Sequence, residues 1–400
     1  MAAEQIEPTL DSLLTALAVL GAADQAMLAE FMSTTLGEAL LAALAHHPAV
    51  VVNDGLFTLQ PERAATRLQT LEQTDLLHFR RLHQQAVALL AQKLTAGDSA
   101  YEPIFMSAFR RLADHVRHQA PGELPKLVAL AGPLPLTSVA HQHYLAFVVG
   151  LDHRFAERYA EAIAIAQQLL DEPELDDDLR GRFYNLRATC YYFQGHFQQA
   201  LDDYQAGLTL LQVSGNQLAA GIVLHNMAAL AYDLQDYAAA EARLQQAATL
   251  FAAAGSLPWL AAVENELGLI YRDQGRWSAA LAAFEAFVTH STANQAHEDR
   301  AIGLLNMGEV LFFQGRLALA VEKFQASLAV MTSEAFRIDT LLNLGLIHQI
   351  NAEFDLAEHD FQQALALAQK LGRRFALANV HYRLAHLRQA RQDQPGAHQQ

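Results

Sequence analysis

Apolar residues recur through residues 264–287, ENELGLIYRDQGRWSAALAAFEAF, in two helical stretches with one break between them. Leu267, Gly268 and Tyr271 share one helical spacing; beyond Gly275, Trp277, Ala280 and Phe284 follow at steps of three and four. The pattern predicts a helix, a tight turn at Gly275 and a second helix folded back on the first. Glycine inside a helix costs about 1 kcal/mol relative to alanine, so Gly268 points to close approach of the second helix. Ala280 offers a matching small surface, with Leu267, Tyr271 and Phe284 filling the groove around it.

The same pattern recurs down the chain. The second-helix alanines are Ala162, Ala200, Ala240, Ala280, Ala320, Ala357 and Ala397, spaced by 38, 40, 40, 40, 37 and 40 residues. Four residues after the first six stand Ala166, Tyr204, Leu244, Phe284, Phe324 and Phe361; three before them stand Tyr159, Phe197, Tyr237, Trp277, Leu317 and Phe354. The small residue of each first helix is Gly150, Ala188, Ala228, Gly268, Gly308, Gly345 or Ala385. Gly215, Gly255 and Gly372 are expected to end helices between units. Residues 141–400 therefore read as six full units and a partial seventh, which either caps the array or opens a further unit.

These residues resemble the tetratricopeptide repeat (TPR), whose consensus W-x2-L-G-x2-Y followed by A-x3-F is met here, except that Glu264 stands at the first large apolar position. The period is near 40 rather than 34, and six more residues add about 9 Å of helix rise per unit. Long units of this kind resemble those of adaptor TPR proteins, such as the kinesin light chain and LGN-type spindle-orientation scaffolds, and of bacterial peptide-receptor regulators. The resemblance implies a mostly α fold, an α-α superhelical solenoid whose first helices line a concave face that holds extended partner segments.

Residues 1–72 carry a different pattern. TLDSLLTALAVLG, with Thr9 as N-cap, DQAMLAEFM and TLGEALLAALAHH read as three short helices. VVVNDGLFTL reads as a hairpin around Asn53-Asp54-Gly55, and Pro61 suits the first turn of the helix that follows. The order resembles the small winged-helix domain of signal-transduction ATPases with numerous domains (STAND proteins), through LLTALAVLG, NDGLFTL and LFTLQPERAATRLQTL. No G-x-x-x-x-G-K-[ST] occurs, so the ATPase activity of that family is not implied. Residues 73–140 read as a helical connector, its first long helix capped by Thr74, with Arg80, Arg81, Arg110, Arg111 and Arg117 on a solvated face. The turn-rich AGPLPLTS, 131–138, marks the boundary with the array.

Charge narrows the functional classes. The formal net charge is −16, the first Lys or Arg is Arg63, and the third helix of the first domain carries Glu38 and no fixed positive charge. Phosphate and guanine contacts need Lys or Arg, so direct binding of nucleic acid is not expected, nor is binding to an anionic membrane. The absence of a basic n-region and of a long apolar run predicts a cytoplasmic protein, and the single cysteine fits a reducing compartment.

Candidate chemistry is sparse. Cys190 lies inside a first helix with no Cys-His signature around it, and His141, His143 and His153 are joined by no metal-binding motif. DEPELDDD, 171–178, reads as a solvated loop. No catalytic residue, metal or cofactor is expected. Asparagine recurs on the first helices instead: Asn226, Asn306 and Asn343 share one register, with Asn185 and Asn265 one residue earlier. An amide both donates and accepts, so this ladder either holds the backbone of a bound peptide or ties the units together through loop and helix-end backbone. In the first role, Tyr192, Arg272, Asp273, Glu309 and His348 supply specificity. The expected function is a non-enzymatic scaffold for a protein or peptide partner; the alternative is a ligand-sensing signalling regulator of the STAND or peptide-receptor type without its own ATPase.

Overall fold

The structure, a computed structural model, describes residues 9–392 apart from 54 and 294. The chain divides into two compact units, Met1–Ser214 and Gly215–Gln400.

The first unit opens with α1 (Leu10–Leu20), β1 (Ala22–Ala23), α2 (Gln25–Phe31), α3 (Glu38–Ala45), β2 (Val50–Asn53), β3 (Leu56–Leu59) and α4 (Pro61–Thr74). Thr9 caps α1, accepting from Ser12 N at 3.1 Å in a reciprocal capping box. The strands form one antiparallel sheet with β3 in the middle, pairing Val51 with Thr58 and Asn53 with Leu56. The hairpin thus closes around Asn53 and Gly55, while Asp54 lies outside the described residues. β1 is two alanines with no strand signal of their own; their pairing with Phe57 and Thr58 makes them a strand.

Seven further α-helices lie among the described residues of this unit: α5 (Leu76–Thr95), α6 (Glu102–Gln119), α7 (Leu124–Ala131), α8 (Val139–Phe155), α9 (Tyr159–Leu170), α10 (Asp177–Phe193) and α11 (Phe197–Val213), with 3-10 turns at Ser99–Tyr101 and Pro121–Glu123. The cap of α5 is Asp75, whose carboxylate accepts from His78 N at 3.0 Å, and not Thr74, which ends α4. One buried cluster runs from Leu13 through Phe105, Phe109 and Phe183 to Cys190. The expected arginine face is largely engaged rather than solvated. Arg111 donates to Val19 O at 2.8 Å, Arg110 lies 4.7 Å over the Tyr144 ring, Arg117 reaches Asp114 at 3.2 Å and Arg80 reaches Glu123 at 3.5 Å.

The turn at 131–138 is fastened by Glu102, which is 3% exposed. Its carboxylate accepts from Thr137 N (2.9 Å), Thr137 Oγ1 (2.6 Å) and Ser138 N (3.0 Å), and His141 Nδ1 stands 2.8 Å away. Burial by itself raises the Glu102 pKa, but these bonds to the ionised form outweigh it and hold the carboxyl down at about 2.

The second unit contains α12 (Gln217–Asp233), α13 (Tyr237–Ala253), α14 (Leu257–Asp273), α15 (Trp277–Ala293), α16 (His297–Phe313), α17 (Leu317–Val330), α18 (Glu334–Ile350), α19 (Phe354–Lys370) and α20 (Arg374–Gln392). They pair as hairpins, α12 with α13 through α18 with α19, and each pair packs on the next. Helices of 17 residues joined by three-residue turns produce the 40-residue period. α17 has 14 residues, which accounts for the spacing of 37. Ala397 and the second helix expected after α20 lie outside the described residues.

The sequence register coincides with the packing. Tyr159, Phe197, Tyr237, Trp277, Leu317 and Phe354 each begin a second helix, and the six described alanines are fully buried. The space at Gly268 is occupied by the ring of Phe284, not by the surface of Ala280; Gly308 meets Phe324 and Gly345 meets Phe361 in the same way. Where the first helix has Ala228, the second-helix partner position holds the smaller Leu244, and both are buried. Among the described residues no helix is long and apolar enough to cross a membrane.

Candidate binding face of the first helices

Along α12, α14, α16 and α18 the small residue at the Gly268 register faces its own second helix. The positions two and three residues earlier, and those one and four later, project on another side of the helix. There the side chains of neighbouring first helices reach one another. Asn306 Nδ2 donates to Asn265 Oδ1 at 2.9 Å. Arg272 donates to Glu309 Oε2 at 3.1 Å, and Asn343 Nδ2 donates to Glu309 Oε1 at 3.4 Å. Arg272 Nε also donates to Asp273 Oδ1 at 3.0 Å, and the Tyr232 hydroxyl donates to the same carboxylate. His225 Nε2 stands 3.2 Å from Glu266 Oε1. The second unit thus carries a strip of amides, carboxylates and one guanidinium linked from helix to helix.

The strip is partly desolvated. Burial raises the Glu309 carboxyl above its ordinary value, against the opposing pull of Arg272 and Asn343. Burial raises Asp339 on α18 as well, opposed by Arg373. Such groups suit hydrogen bonding to a peptide backbone or to cationic side chains.

Of the residues singled out by sequence, Asn226, Asn265, Asn306, Asn343, Arg272, Asp273, Glu309 and His348 fall in the second unit. Asn306 is buried. Asn306 and Asn343 bond to side chains of the preceding first helix rather than to helix-end backbone. His348 turns into its own hairpin, its Nδ1 2.7 Å from Asp360 Oδ2 on α19. Asn185 and Tyr192 belong to α10 of the first unit, where the Tyr192 ring packs 5.1 Å from Phe193 and 6.3 Å from Phe197. Tyr232, His225, Glu266 and Asp339 were not anticipated. Glu266 had a signal, because it occupies the register shared by Asn226, Asn306 and Asn343.

Elsewhere the candidate chemistry resolves into packing and capping. Cys190 is buried, and that burial pushes its thiol up to about 12, far from a thiolate at neutral pH. Within 171–178, Asp176 caps α10 by accepting from Leu179 N at 2.9 Å, and Asp178 pairs with Arg182 at 2.9 Å. Among the described residues no group of three or more His, Cys, Asp or Glu is placed to hold a metal ion.

Family models described as tetratricopeptide repeat match residues 219–289 and 337–371. These two stretches are tetratricopeptide repeats, and the fold of the chain resembles that of a STAND protein with such repeats. Among solved structures it is similar to the STAND protein with a tetratricopeptide repeat sensor from Pyrococcus horikoshii, with a TM-score of 0.57 and 11% identity, covering 97% of this chain and 63% of that one. It is also similar to the APC/C hetero-tetramer Cut9–Hcn1, with a TM-score of 0.50 and 14% identity, covering 83% of this chain and 59% of that one. The chain therefore spans about three fifths of the length of these two structures. No curated protein matches its sequence.

Proposed function

We propose that the protein is a non-enzymatic scaffold that holds a partner peptide or protein segment along the first helices of its repeats. The observation that supports this reading is the linked polar strip Asn265–Asn306 and Arg272–Glu309–Asn343. Side chains bonded to one another are held in place, so a segment lying over them meets donors and acceptors that lose little conformational freedom on binding. In this reading residues 1–72 form a winged-helix-like module, 73–140 a connector and 141–400 the array. With no fixed positive charge on α3, the first module serves packing or protein contact rather than DNA. A single buried cysteine suits the reducing cytoplasm.

A second reading is a ligand-sensing signalling regulator of the STAND or peptide-receptor type without an ATPase of its own. It is favoured by the STAND-like fold over nearly the whole chain, together with the order α1-β1-α2-α3-β2-β3. In both readings the strip is where the segment binds.

The test is selection of peptides from a displayed random library on the full chain, followed by affinity measurement on variants. Asn343→Ala and Asp339→Lys on α18 are expected to weaken the selected peptides tenfold or more. Gln325→Lys, on the exposed side of α17, is expected to leave them unchanged. Peptides that bind all three variants as tightly as the parent, or a library that yields no binder, would overturn the reading.

A further inference from the structure

The first unit holds a cavity of about 770 Å³ between α1, the loop before β2, the end of β3 and α4. That volume lies within the range of small-molecule sites, roughly 300–1,000 Å³. Leu14 and Leu59 give it an apolar wall, each less than a tenth exposed.

Its polar wall is selective in what it leaves open. Arg67 is held in place: Nε donates to Thr15 Oγ1 at 2.9 Å, while a terminal nitrogen donates to Asp11 O at 2.9 Å and pairs with the Asp11 carboxylate. The carboxylate on this wall is therefore already matched. Thr15 and Thr66 spend their hydroxyl hydrogens on the carbonyls of Asp11 and Glu62, at 3.0 and 2.8 Å. His47 Nδ1 accepts from Ala49 N at 3.2 Å, so its Nε2 carries the ring hydrogen of the neutral form. Arg63 lies one helical turn before Arg67 on the same side of α4. It makes no hydrogen bond or ion pair with the described residues. The donors left for an occupant are the Arg63 guanidinium and the His47 ring, together with the second terminal nitrogen of Arg67 and one amide hydrogen of Gln60, whose Nε2 also donates to Pro48 O at 3.2 Å. In a chain of net charge −16, this cavity carries one uncompensated positive charge beside an apolar wall.

The geometry points to a binding site for a small organic anion, with a carboxylate or phosphate head on Arg63 and an aliphatic or aromatic body against Leu14 and Leu59. The site lies apart from the first-helix strip, and neither assignment depends on the other.

Isothermal titration of the full chain with 4-phenylbutyrate, phenyl phosphate and the uncharged 4-phenylbutyramide tests it. At least one of the two anions is expected to bind at a single site, and the tighter of them names the head group. Tenfold or greater weakening is expected for the amide and for Arg63→Gln, a change at an exposed residue whose side chain has no internal partner to lose. Thr66→Phe, which fills the mouth of the cavity, is expected to abolish binding while its melting temperature stays that of the parent. Absence of binding by both anions, equal affinity for acid and amide, or undiminished binding by Arg63→Gln overturns the assignment. If Thr66→Phe does not fold, the Arg63→Gln titration decides alone.

Discussion

The ring of Phe284 fills the space in which a β-carbon on Gly268 would stand, and two further units repeat the arrangement with Gly308 under Phe324 and Gly345 under Phe361. In these three hairpins the glycine makes room for a phenylalanine ring between the two helices. A β-carbon on Gly308 would lie 2.5 Å from Phe324 Cε1. Gly308→Ala is therefore expected to destabilise the protein by about 1–2 kcal/mol, since overpacking of about 1–3 kcal/mol outweighs a helix-propensity gain of up to about 1 kcal/mol. Adding Phe324→Leu, which reproduces the pairing of Ala228 with Leu244, is expected to recover most of the loss in denaturant unfolding. A Gly308→Ala protein as stable as its parent would refute the packing argument.

The turns inside the hairpins share one left-handed position. It is occupied by Gly195, Gly275 and Gly315, but also by Glu157, Gln235 and Ala352, with φ of +60°, +61° and +62°. A residue with a β-carbon costs roughly 1–2 kcal/mol in that region. Ala352→Gly is expected to stabilise by about 1 kcal/mol and Gly315→Ala to destabilise by a similar amount, as read from urea midpoints at constant slope.

Glu102 makes stability depend on acid. Its carboxyl is held at about 2, below its ordinary value of 4.5, so the folded state takes up the proton less readily than the unfolded one. The stabilisation it brings is complete above about pH 4.5 and is lost as pH falls toward 2. Glu102→Gln is expected to cost about 2 kcal/mol at pH 7, and the gap between parent and variant is expected to close between pH 4.5 and 2.5. A gap that stays constant over that range would show that the charge on Glu102 is not what fastens Thr137 and Ser138.

Asn265 and Asn306 are expected to be coupled. Removing either amide leaves its partner short of a bond in a half-buried site, at a cost of about 1 kcal/mol. A double-mutant cycle with alanine is expected to return a coupling energy of about 1 kcal/mol. Additive losses would mean that the two amides act separately, and the strip would lose its continuity.

The fold was legible because repeats write their packing as periodicity. The helix starts, the buried alanines and the small residues under the rings all recur at steps near 40, and each reflects an interaction between two helices adjacent in sequence. The binding face was legible in part. The asparagine ladder is visible because it keeps that step, whereas Glu266 in the same register is a carboxylate and breaks the run of amides.

The amino-acid order alone determined the helices, their lengths, the turns and the pairing within each hairpin, since these follow from local propensity and from apolar residues at helical spacing. Tertiary structure decided which polar groups meet: Arg272 with Glu309, Arg111 with the carbonyl of Val19, Glu102 with Thr137, and the two alanines of β1 with β3. Those partners stand 34 to 92 residues apart, with no fixed rule of spacing. Only the folded backbone brings them within hydrogen-bond distance, so one chain position says nothing of the other until the helices are packed.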